Sequence, residues 1–217
     1  MISIAILGGT GQQGRGLAQR FARAGSRVVV GSRDPDRARA AVAEWGFGGS
    51  IEAATNASAI EESDVVVLAV PFSSVDPLLE ELRPHFKPAM VVIDVTVPIT
   101  FTGGKMAMVE VKEGSASEHV RALLPEGVLL AGTFKTIPAH LLGDGETPLD
   151  CDEFVCGDSE ESRRRAVQLL ELLPGLRPVD VGPLSRARSI EHLTALAIAI
   201  NRRHKIHDAR FRIVGLT

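Results

Sequence analysis

The sequence predicts an α/β protein with a doubly wound, mostly parallel sheet and a small C-terminal α/β extension that ends in a long helix. Three observations carry this reading. Short apolar runs alternate with segments of helical period along the whole chain, and that alternation specifies βαβ units with a sheet covered on both faces. A glycine-rich turn stands directly between the first apolar run and the first helical segment. The 217 residues hold no repeat, low-complexity tract or Gly/Ser/Pro linker, and 45% of them are hydrophobic, which is enough to build a core.

Each element follows in order. Residues 2–7 (ISIAIL) are a short apolar run, as expected of a strand buried on both faces. After the turn GGTGQQG, the residues Gly14, Leu17, Ala18, Phe21 and Ala22 recur at helical spacing, so residues 12–24 form an amphipathic helix that Gly25 ends. Residues 27–31 (RVVVG) are the second strand, and 35–45 the second helix, with Pro35 suited to its first turn. A short strand is expected near 50–54 and a short helix at 57–62. Residues 64–70 (DVVVLAV) give the clearest strand, closed by Pro71. A helix over 75–82 and a strand over 90–95 come next. Residues 117–124 form a helix that Ser115 or Ser117 caps, and 128–131 a strand that leads into the run GTFKTIPAH. A strand at 153–156, a helix at 159–173, a strand at 178–181 and a long helix over 184–204 complete the chain. Pro, Gly and Asp cluster within 138–149, which marks a soft boundary between residues 1–137 and an extension, 138–217, packed on them.

Charge and composition exclude several classes. A net charge of −3 does not suit a nucleic-acid surface, which needs a basic face. No apolar run approaches the ~18–20 residues of a membrane span, and the first apolar run is too short for a signal peptide. Cys151 and Cys156 make no disulfide framework, so they read as reduced thiols of a cytoplasmic protein. No Cys and His stand at zinc spacing, and no metal is expected.

The glycine turn carries the first chemistry. Gly9, Gly11 and Gly14 spell G-x-G-x-x-G after a strand and at the start of a helix, the fingerprint of a Rossmann-type dinucleotide site. Gly9 permits the tight turn, Gly11 lets a pyrophosphate approach the backbone, and Gly14 lets helix and strand pack closely. The helix N-terminus then faces the phosphates with free N–H groups. NAD-binding domains place an acid about 20 residues further on, at the end of the second strand, to hold the ribose hydroxyls. Here that position reads Gly31-Ser32-Arg33. A hydroxyl and a guanidinium suit a 2′-phosphate, and Arg37, one helical turn on, is placed to close over it. The cofactor of residues 1–137 is therefore NADP, although a one-residue shift would bring Asp34 to the ribose.

With these residues, and with VLAVP, KTIPA, the CGD of residues 156–158 and GLRPVDVGPLSRARSIEHLT near the end, the chain resembles the NADP-dependent reductases of the deazaflavin coenzyme F420 over nearly its whole length. The resemblance implies hydride transfer between NADP(H) and coenzyme F420 as co-substrate. It also implies that Thr10, Gly11, Gln12 and Gln13 wrap the phosphates, that Ser32, Arg33 and Arg37 hold the 2′-phosphate, and that Val70, Ser74, Val97 and Ala139 line the nicotinamide half. Archaeal members carry a His immediately before Thr-Ile-Pro, where this chain has Lys135. Lys135 is expected to anchor the anionic deazaflavin, and Ile137 to offer a flat contact for its ring, so these two are the catalytic candidates. Two alternatives stay open: an NADPH reductase of a flavin, ferric complex, small carbonyl or imine, and an NADP sensor without turnover. Asp94, at the end of a strand, is expected to hydrogen-bond a loop. The segment 193–200 (LTALAIAI) is apolar almost all round on a terminal helix, which calls for burial on more than one side and points to a homodimer.

Overall fold

Eight strands form one sheet in the computed structural model, which describes residues 2–143 and 145–216. The first half runs β1 Ser3–Leu7, α1 Gln12–Arg23, β2 Arg27–Ser32, α2 Pro35–Ala43, β3 Ile51–Thr55, α3 Asn56–Glu61, β4 Val65–Leu68, α4 Val75–Leu82 and β5 Val91–Asp94. A hairpin follows, β6 Ile99–Thr102 and β7 Lys105–Met108, then α5 Ala116–Leu123, β8 Leu129–Gly132, α6 Ala139–Gly143, β9 Cys151–Gly157, α7 Glu160–Leu170, β10 Leu176–Pro183 and α8 Ala187–His204.

The strand order is β3-β2-β1-β4-β5-β8-β9-β10. Strands β1 to β5 and β8 are mutually parallel. The order reverses at β1, between β2 and β4, and a doubly wound sheet binds its ligand at the carboxyl edge beside such a switch point. Register keeps that edge flush: Leu7 lies opposite both Gly31 and Leu68. β9 turns antiparallel to β8 through only two pairs, Ala131 with Gly157 and Gly132 with Cys156. The expectation of an α/β fold with a mostly parallel sheet and a long final helix is met.

Alternation on these buried strands separates two cores. Ile4, Ile6, Val28 and Val30 face α1, α6 and α7 through Leu17, Phe21, Leu142 and Leu169. Ala5, Leu7, Val66 and Leu68 face α4, α5 and α8 through Leu79, Val120 and Ile190. α1 lies so close to α6 that a Cβ on Gly16 would stand 2.6 Å from Leu142 Cβ. Arg20, also on α1, donates to the carbonyls of Leu141 and Leu142 at 2.6 and 3.0 Å.

Three elements, both strands of the hairpin and one short helix, are not expected from the sequence. The β6–β7 hairpin is largely exposed, so it lacks the apolar pattern that marks a strand. Its signal is the turn, where Gly103 and Gly104 both have left-handed φ, 56° and 75°, as a two-residue hairpin loop demands. α6 has only five residues, too few to show a period. Ser115, not Ser117, caps α5 by accepting from Glu118 N–H. β9 begins at Cys151, so Asp152 and Glu153 belong to a buried strand. Both thiols are free and buried, and burial pushes each up to about 12, which removes thiolate reactivity. Among the described residues no helix is long and apolar enough to cross a membrane.

Candidate active site

The glycine turn joins β1 to α1. Its left-handed residue is Gly8, φ 78°, where a Cβ would stand 2.5 Å from Ala69 O. Gly9 is required for another reason: a Cβ there would stand 2.9 Å from Val30 Cγ1. A Cβ on Gly14 would meet Gly8 O and Gly9 Cα at 2.7 Å, whereas one on Gly11 would meet only Gly8 O, at 3.3 Å. Gly11 is exposed and is the N-cap of α1, and no side chain caps it. The first N–H groups of α1 are thus presented at the carboxyl edge, where the helix dipole favours an anion. Thr10 and Gln12 are exposed beside them. Gln13 reaches elsewhere, donating through Nε2 to Phe134 O at 2.7 Å.

At the end of β2, Ser32 Oγ accepts from Asp34 N–H at 3.1 Å, and Asp34 Oδ1 accepts from Arg37 N–H at 3.0 Å. Asp34 is therefore the N-cap of α2, which turns its carboxylate to the helix. Arg33 and Arg37 are exposed. These two cations, one hydroxyl and the uncapped helix N-terminus fit an NADP diphosphate and 2′-phosphate.

A cavity of about 470 Å³ opens where β1, β4, β5 and β8 end. Of the residues singled out in the sequence, it brings together Gly11, Gln12, Gln13, Val70, Val97, Lys135, Ile137 and Ala139. Gly9, Thr10, Gly14, Ser32, Arg33, Arg37 and Ser74 lie outside its wall. The wall that the sequence reading lacks is α8, through Thr194, Ala197, Ile198 and Asn201. Ile137 is 5% exposed and belongs to the core while lining the cavity. Apolar walls with a few polar groups suit a flat ring system.

Lys135 is placed unlike an exposed anchor. Its side chain is wholly buried, and Nζ donates to Asp94 Oδ2 at 2.7 Å and to Thr96 O at 2.5 Å, with Glu191 Oε1 at 3.4 Å. Burial pulls the ammonium down, but Asp94 and Glu191 outweigh it and hold Lys135 above the usual lysine range. Asp94 does hydrogen-bond a loop: Oδ1 accepts from Thr96 N–H and Oγ–H at 2.9 and 2.7 Å, and Oδ2 from Ser117 Oγ–H at 2.6 Å. Burial raises Glu191 above the usual carboxylate range despite Lys135. Thr194 Oγ–H donates to Lys135 O at 2.8 Å. The loops after β5 and β8 are thereby tied to each other and to α8.

The fold and this site define a dinucleotide-binding α/β protein of the oxidoreductase class. Residues 3–98 match the family described as NADP oxidoreductase coenzyme F420-dependent. The chain is 39% identical over 224 residues to the F420-dependent NADP reductase of Methanothermobacter thermautotrophicus, with 100% of this chain and 96% of that protein covered. It is 33% identical to the F420-dependent NADP reductase of Methanocaldococcus jannaschii, with 99% of each chain covered. The crystal structure of a candidate F420-dependent NADP reductase from Arthrobacter sp. FB24 superposes with a TM-score of 0.85 at 25% identity, covering 99% of this chain and 100% of that one. The chain belongs to the coenzyme F420-dependent NADP oxidoreductase family.

Proposed function

We propose that the protein transfers a hydride reversibly between NADP(H) and the deazaflavin coenzyme F420. The observation that carries this reading is one apolar cavity whose wall runs from the glycine turn, Gly11 to Gln13, to the 135–139 loop. A dinucleotide anchored at the turn would direct its nicotinamide into the space where a second ring stacks. The two bound ring systems supply the hydride chemistry. The chain contributes binding, alignment and exclusion of water, which suffice for a large part of the rate.

In this reading Gly9, Thr10, Gly11, Gln12, Gln13 and Gly14 form the diphosphate cradle, and Ser32, Arg33 and Arg37 the 2′-phosphate site. Val70, Val97 and Ala139 border the nicotinamide, Ser74 lies outside that wall, and Ile137 borders the acceptor ring. Lys135 acts as a positioning residue, holding Thr96 and hence Val97 against the acceptor loop. Residues 138–217 serve as the extension that completes the cleft. The protein works as a homodimer in the cytoplasm, with the exposed apolar residues of α8, among them Leu196 at 50% exposure, as the contact.

NADPH oxidation assayed with the deazaflavin beside ordinary flavins tests the reading. Turnover with the deazaflavin is the expected result. Turnover with flavins and none with the deazaflavin would leave the NADP site standing and overturn the acceptor.

A further inference from the structure

Glu153 is a carboxyl group within β9, 0% exposed, whose hydrogen-bond donors among the described residues are all neutral. Oε1 accepts from Lys135 N–H at 2.9 Å and Thr136 N–H at 3.5 Å, and Oε2 from Thr136 Oγ–H at 2.5 Å. Thr136 is part of the cavity wall. The residue that lines the cleft and the residue whose hydroxyl donates to the buried carboxyl are thus the same, Thr136. Other groups at that end are committed, since the Lys135 ammonium is held by Asp94, Thr96 and Glu191.

We infer that Thr136 and Glu153 form a proton relay serving the acceptor end of the cleft. The inference rests on the hydride-transfer reading above. Reduction of the oxidised deazaflavin consumes one NADPH and one proton and releases NADP⁺: the hydride goes to ring carbon and the proton to ring nitrogen. Protonated Glu153 donates its O–H to Thr136 Oγ while the Thr136 O–H is donated into the cleft. After transfer Glu153 is a carboxylate that accepts from Thr136 O–H and from two backbone N–H groups, the arrangement seen here. In the opposite direction Glu153 receives the proton along the same path, and solvent in the open cavity exchanges it through the same hydroxyl.

Burial raises the Glu153 carboxyl to about 7 against the pull of its donors, which puts a buried acid where general acid–base transfer works best. The charged and titratable groups that face it are Lys135 from the β8 loop and the Cys151 thiol on its own strand. Its register partner on β10 is Pro178, which does not titrate.

Glu153→Gln and Thr136→Val, each with the unmutated protein, test the relay. Expected are an NADPH affinity within twofold of the original and deazaflavin reduction slowed by about 100-fold. The fall of forward rate as pH rises through 7 should vanish in Glu153→Gln. A readout independent of turnover is the side-chain carboxyl carbon of Glu153 by NMR in the ligand-free protein, which should titrate near 7. Unchanged rate and pH profile in Thr136→Val would overturn the relay, even if Glu153→Gln does not fold. So would a Glu153 ionised throughout pH 5–9. If the unmutated protein does not reduce the deazaflavin at all, the functional reading itself fails, whatever Glu153 does.

Discussion

The Lys135 ammonium and the Asp94 carboxylate meet at 2.7 Å with neither side chain exposed. Glu191 joins them at 3.4 Å, so two buried acids share one cation. Removing one partner of such a pair leaves a charge uncompensated, at a cost of about 3–5 kcal/mol. Lys135→Met is therefore expected to destabilise the protein by that amount in urea unfolding, and adding Asp94→Asn should recover part of it. A loss below about 1 kcal/mol would show that the pair contributes little.

Stability should also follow pH through Glu153. Its carboxyl is raised from 4.5 to about 7 by burial, so the native state prefers the neutral form. The stabilisation from this group is fully present below 4.5 and is lost as pH rises through 7. The melting temperature of Glu153→Gln relative to the unmutated protein should climb across that window and level off above it. A constant difference from pH 4 to 9 would contradict the assignment.

In the proposed reading, cofactor choice depends on the end of β2. Arg33 is exposed there, and a charge-assisted contact is worth ~1.5–3 kcal/mol. Arg33→Ala should weaken NADPH binding at least ~10-fold and leave NADH nearly unchanged. Fluorescence titration of both cofactors measures this, and equal affinity of the unmutated protein for the two would refute the 2′-phosphate site.

Gly16 tests the contact between α1 and α6. Alanine is the better helix former by about 1 kcal/mol, but its Cβ would stand 2.6 Å from Leu142 Cβ and 2.9 Å from Gly143 N. Overpacking costs ~1–3 kcal/mol, and since one of those neighbours is backbone the clash should win. Gly16→Ala is expected to lower the melting temperature, and a rise would mean that α6 gives way freely.

Leu196 is half exposed on an otherwise apolar stretch of α8. Leu196→Glu should convert a dimer to a monomer in light scattering at micromolar concentration. A monomeric mass for the unmutated protein rules out the contact.

Much of this was legible in local pattern. The β1-turn-α1-β2 unit shows in its glycine spacing and apolar runs, and β4 shows in DVVVLAV, because buried parallel strands are apolar throughout. What stayed hidden depends on distance along the chain. The partner of Lys135 lies 41 residues away, and no local pattern reports that its ammonium is spent there instead of in the cleft. Glu153 had a signal, an acid inside the apolar run CDEFVCG, but such an acid reads equally as solvated edge until β10 is known to flank its strand and residues 135 and 136 to pack on its carboxyl. The α8 wall was visible as an apolar helix, yet nothing in its period says which of its residues overlook the cavity.

The contact of α1 with α6 governs how the chain could be divided. Every residue of the glycine fingerprint lies in its first fourteen positions, which suggests a portable cofactor module ending at 137. Yet Gly16 is shaped to Leu142, and Arg20 is held by the carbonyls of Leu141 and Leu142. A fragment cut at 137 would keep the whole fingerprint and strip the cover from the helix that presents it. During synthesis, likewise, the dinucleotide cradle is spelled out early but waits more than a hundred residues, until Phe134 accepts from Gln13 and α6 arrives, before it is held in place.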